Sequence, residues 1–114
     1  MRIINASRGT TLAEQANVAR TFWSRFRGLM GCRELPTGCG LVLNRTGSVH
    51  TFWMRFPIDV IFVDRNNVVV GLREAMLPNR PFAGAWKATR TLELPAGVIA
   101  LTGTKRGDQL RFED

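Results

Sequence analysis

Glycine or proline recurs roughly every ten residues along most of this chain, a spacing that cuts it into short apolar segments. Chains punctuated in this way build many short strands. Residues 2–6 read as a first strand closed by the turn Ser7-Arg-Gly9, and residues 40–44 form a short apolar run. Residues 59–64 lead through Arg65, Asn66 and Asn67 into residues 68–72. Asparagine tolerates positive φ, so Arg65 to Asn67 reads as the tip of an antiparallel hairpin. Pro57 cannot donate to a ladder and belongs at a strand start or edge. Further strands are expected at 89–94, 98–101 and 109–112, joined by the turns Pro95-Ala-Gly97 and Lys105-Arg-Gly-Asp108.

One segment resists this pattern. Thr11 and Glu14 have the spacing of a capping box, and Leu12, Ala16, Ala19, Trp23, Phe26 and Met30 follow at helical steps. Residues 11–18 fit a strand as well, so the helix is assigned to about 19–30 only. The expected class is mainly β, a small single-domain sandwich or barrel-like fold with one short helix. At 114 residues the chain can bury a core without metal or disulfide. No apolar run is long enough to cross a bilayer, and no secretory signal follows the N-terminal Met-Arg-Ile-Ile-Asn, so a cytoplasmic location is expected. Cys32 and Cys39, six residues apart between them, fit no zinc or redox spacing and are read as reduced thiols.

The net charge of +7 rests on 16 basic residues, and raises the question of phosphate-bearing partners. The arginines are dispersed, with only Arg20, Arg25, Arg27 and Arg33 close in sequence. Chemistry concentrates elsewhere, in residues 48–70, which hold the only histidine, His50, a Trp53-Met-Arg-Phe56 run and Asp59. A strand through 50–55 would turn His50, Phe52 and Met54 to one face and Thr51, Trp53 and Arg55 to the other. His50 and Trp53 can then meet only if the chain bends.

Several separated motifs fall together in order: Arg27-Gly-Leu-Met-Gly31, Gly38-Cys-Gly-Leu41, the run from Val49 to Phe62, Leu92-Glu-Leu-Pro-Ala-Gly97 and Gly107-Asp108. In these the chain resembles the DUF192 family, an uncharacterised bacterial and archaeal group, from about residue 20 to the C-terminus. The resemblance implies one mainly β domain over residues 1–114, sandwich-like or barrel-like. It implies no activity.

The candidate residues are therefore weighed on their own chemistry. His50 with Asp59 could form an oriented acid–base pair; equally, His50 could bond to backbone while Asp59 caps a turn or pairs with Arg55. Glu93 lies opposite Leu92 and Leu94 on its strand, and either binds Arg27 or a ligand amine or faces solvent. His50, Asp59 and Glu93 suit a metal by type but lack a spacing signature, so neither metal nor cofactor is expected. Gly28 and Gly31 suggest a helix end or close backbone approach, with Arg27 beside it able to hold an anion. Trp23, Phe26 and Met30 read as core. Trp53 is assigned to the core by preference, whereas Trp86 could be core or a ligand wall. Residues 78–88, rich in turn formers with Phe82 and Trp86, read as a cover.

Three functions follow. The first is a module binding a small molecule or protein in a cleft beside the Trp53–Asp59 bend, lined by Arg27, His50, Trp53, Arg55, Asp59 and Glu93. An enzyme using His50 and Asp59 is the second. A nucleic-acid-associated protein working through the arginines is the third, set behind the others for want of a basic run.

Overall fold

The computed structural model describes residues 1–21, 24 and 28–114. Strands dominate in the order β1 (Arg2–Asn5), β2 (Thr10–Ala13), β3 (Gln15–Ala19), β4 (Cys39–Asn44), β5 (Ser48–Val49), β6 (Ile58–Val63), β7 (Val69–Met76), β8 (Ala83–Gly84) and β9 (Arg90–Pro95). Helix α1 (Val98–Thr102) and strand β10 (Leu110–Glu113) follow. A five-stranded sheet, β3-β4-β9-β6-β7, is mixed: β3 runs parallel to β4 and every other pair is antiparallel. A three-stranded sheet, β10-β1-β2, packs over one of its faces, and the small β5-β8 ribbon belongs to the other. This is the sandwich-like alternative; the sheets do not close into a barrel.

Two hydrophobic clusters flank the five-stranded sheet. One joins Ile3, Leu12 and Leu110 of the three-stranded sheet and Ile99 of α1 to Ile61, Val63, Leu92 and Leu94. The second sets Val49, Met54, Ala83 and Leu29 against Leu43, Ile58, Val60, Phe62 and Met76. Strand β6 is buried on both faces, which explains its unbroken Ile58-Asp-Val-Ile-Phe-Val63 sequence, since each face needs apolar residues. Successive side chains alternate between the clusters.

The expected hairpin is present. Asp64 Oδ1 accepts the N–H groups of Asn66 and Val68, and Asn67 turns the chain at φ 64°. Gly9 (φ 68°), Gly97 (φ 101°) and Gly107 (φ 92°) serve the other three turns. The last of these is fixed by Asp108, whose carboxylate takes Arg8, Asn5 Nδ2 and the Lys105 N–H. Those bonds, the Arg8 ion pair foremost, hold its pKa at about 2.

Three expectations change. Residues 98–101 form helix α1 rather than a strand, because Gly97 takes a left-handed conformation (φ 101°) and a distant carboxylate caps the following turn. The helical spacing at Thr11 to Ala19 gives way to strands β2 and β3, whose backbone groups pair with β1 and β4; ladder pairing outweighs local periodicity here. Of the helix assigned to about 19–30, Ser24 is helical and its C=O accepts the Gly28 N–H, but Ala19 ends β3 and residues 28–30 are a turn, while Phe22, Trp23, Arg25, Phe26 and Arg27 lie outside the described residues.

Candidate functional site

The bend at 50–54 is held by polar groups that sequence order alone does not reveal. Thr51 is fully buried: its hydroxyl donates to Leu77 O and accepts from the Arg80 N–H, and its backbone N–H and C=O bond Arg80 O and the Asn79 N–H. Asn79 Oδ1 accepts the Trp53 N–H at 3.1 Å. Residues 77–80 thus clamp the bend. The clamp holds Trp53 at φ 61°, a left-handed conformation that a bulky residue adopts only under such constraint.

Trp53 therefore points outward, 67% exposed, and is not core. Phe52 adjoins it with ring centroids 5.8 Å apart, and His50 lies 5.5 Å from Phe52. His50 Nδ1 accepts the Phe52 N–H at 3.2 Å. The bend that sequence alternation required for His50 and Trp53 to approach is present, with Phe52 between them. Arg55 is exposed on the same turn.

Asp59 stands on the other side of the sheet. It pairs across the ladder with Leu94, so its carboxylate enters the cluster beneath α1. One oxygen accepts the Ala75 N–H at 2.8 Å, and its partner accepts those of Gly97 and Ile99 at 3.1 and 2.8 Å. Ala75 sits at φ 46° beside the register shift between β6 and β7, so Asp59 satisfies both an irregular strand and a helix start. Val49 and Met54, which flank His50, pack on the opposite face. His50 and Asp59 make no hydrogen bond or ion pair with each other, and the geometry supports the capping role for Asp59.

Glu93 faces the cluster that Asp59 avoids. It pairs with Val60 in β6 and Leu41 in β4, is only 2% exposed, and does not face solvent. Its Oε1 is buried and meets no hydrogen-bond donor among the described residues. Burial in this apolar layer raises its pKa to about 8, so the carboxyl is mostly protonated at neutral pH. The turn at 28–31 closes over it: a Cβ placed on Gly28 (φ 51°) would lie 2.8 Å from Oε1. Gly31 donates its N–H to Trp53 O at 3.2 Å, which ties that turn to the aromatic bend.

The six candidate binding residues are thus divided. His50, Trp53 and Arg55 share the bend, Glu93 lies beneath the adjoining 28–31 turn, Asp59 is across the sheet, and Arg27 lies outside the described residues. Among the described residues no group of three His, Cys, Asp or Glu side chains could hold a metal ion. Cys32 and Cys39 are free thiols. No helix among the described residues is long and apolar enough to cross a membrane.

Comparison with known proteins agrees on the family and the fold. DUF192, described as "Uncharacterized ACR", matches residues 3–112. A UPF0127 protein of Thermococcus sibiricus is 33% identical over 97% of this chain and 74% of its own. UPF0127 protein PF1050 of Pyrococcus furiosus is 31% identical over 96% and 97%. The crystal structure of a protein of unknown function from Novosphingobium aromaticivorans superposes with a TM-score of 0.85, at 23% identity, over 97% of this chain and 82% of that one. At that identity the likeness speaks for the fold.

Proposed function

We propose that this chain, which belongs to the DUF192 family, is a single-domain binding module whose site lies between the Trp53 bend and the Glu93 carboxyl. The observation that carries this reading is Glu93 Oε1. A buried polar atom without a partner costs free energy, on the order of 1–3 kcal/mol, and persists where a function uses it. A ligand presenting an amine or another N–H donor would satisfy that carboxyl. Trp53 and Phe52 would supply a flat apolar wall at the rim, and His50 and Arg55 polar contacts beside it. The occupant proposed is a small molecule acting in the cytoplasm, where Cys32 and Cys39 would stay reduced.

Thermal unfolding against a panel of amines, amino acids and other small metabolites tests the reading. A ligand at one hundred times its Kd should add about 2.7 kcal/mol of stability. The shift should vanish in Trp53→Ala and fall sharply in Glu93→Leu. For an amine the affinity should rise as pH passes about 8, where Glu93 ionises. A ligand shift unaltered by both substitutions, or no shift across the panel, sinks the proposal.

A further inference from the structure

A second concavity lies at the far edge of the five-stranded sheet and shares no lining residue with the site above. It encloses about 500 Å³, within the range of small-ligand pockets, between the outer strand β7 and the turn after β8. Phe62, Val70, Gly71 and Leu72 contribute its strand side, and Ala85 and Trp86 its turn side. Three cationic side chains, Arg73, Lys87 and Arg106, complete the lining, and no acidic residue takes part. Among the described residues none of the three makes an ion pair. The acid nearest Arg106 in sequence, Asp108, is already held by Arg8.

The groove is built rather than accidental. A Cβ on Gly71 would lie 2.7 Å from Ala85 Cβ, so the turn seats directly on β7 only because residue 71 is glycine. The Ala88 N–H bonds Ala85 O and the Thr89 N–H bonds Val63 O, which locks the turn with Lys87 at φ 68°. That conformation is costly for lysine and leaves Trp86 standing 86% exposed at the rim. Arg106 is brought in from a separate turn, fixed by the Gly107 N–H to Val69 O.

We propose that this groove binds a nucleotide, with its base stacked on Trp86 and its phosphates held by Arg73, Lys87 and Arg106. A planar face beside three unpaired cations is complementary to a planar base joined to phosphates, and to few other small molecules. The volume suits a single nucleotide.

Titration with ADP at low salt, read by tryptophan fluorescence and by calorimetry, tests it, with inorganic pyrophosphate, adenosine and a short deoxythymidine oligomer as parallel ligands. Saturable binding of ADP is expected, with competition by pyrophosphate. Trp86→Ala should weaken ADP about tenfold while leaving pyrophosphate nearly unchanged. Arg73→Ala and Arg106→Ala should weaken both and flatten the salt dependence. All three positions are on the surface, so unchanged melting temperatures will show that the fold is intact. Glu93→Leu should leave ADP affinity unchanged, which separates this groove from the site at the bend. No saturation, affinity unaffected by Trp86→Ala and Arg73→Ala, or a preference for the oligomer with no ADP binding would overturn the proposal.

Discussion

The five-stranded sheet carries one buried carboxyl on each face, one residue apart in ladder register, and their surroundings are opposite. Asp59 on β6 is paired with three backbone N–H groups; Glu93, opposite Val60 on the neighbouring strand, has an oxygen with no donor among the described residues. Both are essentially inaccessible, so depth does not distinguish them. Supply of donors does. The Asp59 face meets a helix start and an irregular strand, each with spare N–H groups that a carboxylate satisfies well. The Glu93 face meets an apolar cluster and a glycine turn. A carboxyl that repairs backbone needs is structural, whereas a buried one left without a donor among the described residues is the basis of the site proposed above.

The largest effect that could break this contrast is at Asp59. Asp59→Ala should leave the N–H groups of Ala75, Gly97 and Ile99 without their acceptor, that of Ile99 in a buried setting and the other two partly buried, at a cost of about 3 kcal/mol, enough to threaten folding. Denaturant unfolding of Asp59→Ala and the milder Asp59→Asn will measure it. A loss below about 1 kcal/mol in the alanine variant would mean that Asp59 is not the cap described here.

These contrasts also explain what the sequence discloses. The 58–63 and 69–76 hairpin was legible because its turn signal, Asp64 to Asn67, is local, and the apolar run of β6 is what a strand buried on both faces requires. Helix α1 was not legible because its capping carboxylate comes from Asp59, forty residues before Ile99. Strands β2 and β3 were hidden by a spacing that serves a helix equally well. At the site, alternation placed Glu93 opposite Leu92 and Leu94, yet could not tell that its face is covered as well. Grouping Asp59 with Glu93 failed on ladder parity, which is fixed by register rather than by composition. The basic groove is not legible in the sequence because Arg73, Lys87 and Arg106 come from three segments that only the fold brings together.

Next in size is the pH dependence of Glu93. An unfolded glutamate titrates near 4.5 and this one near 8, so the folded state holds a proton that the unfolded chain has released. Stability should therefore decline as pH rises from about 4.5 to 8 and level off above, with a total loss on the order of a few kcal/mol. Glu93→Gln removes the titration. Its unfolding free energy should stay flatter through that window and exceed that of the parent chain above pH 8. Parallel curves for the two proteins would place Glu93 in a better-solvated setting and weaken its claim to be a site.

Gly28 gives the smallest and most specific measure. In Gly28→Ala the new methyl group would lie 2.8 Å from Glu93 Oε1 and the backbone would keep a positive φ, two separate penalties totalling about 1–3 kcal/mol. The conformational part belongs to residue 28 alone, whereas the steric part requires the Glu93 side chain. A double-mutant cycle with Glu93→Ala separates them, because shortening Glu93 relieves the clash and leaves the φ cost. The double variant should recover part of the loss, a coupling of about 1 kcal/mol. Strict additivity would mean that the 28–31 turn does not close over the carboxyl, and the link from Glu93 through Gly31 to the exposed Trp53 would lose its first step.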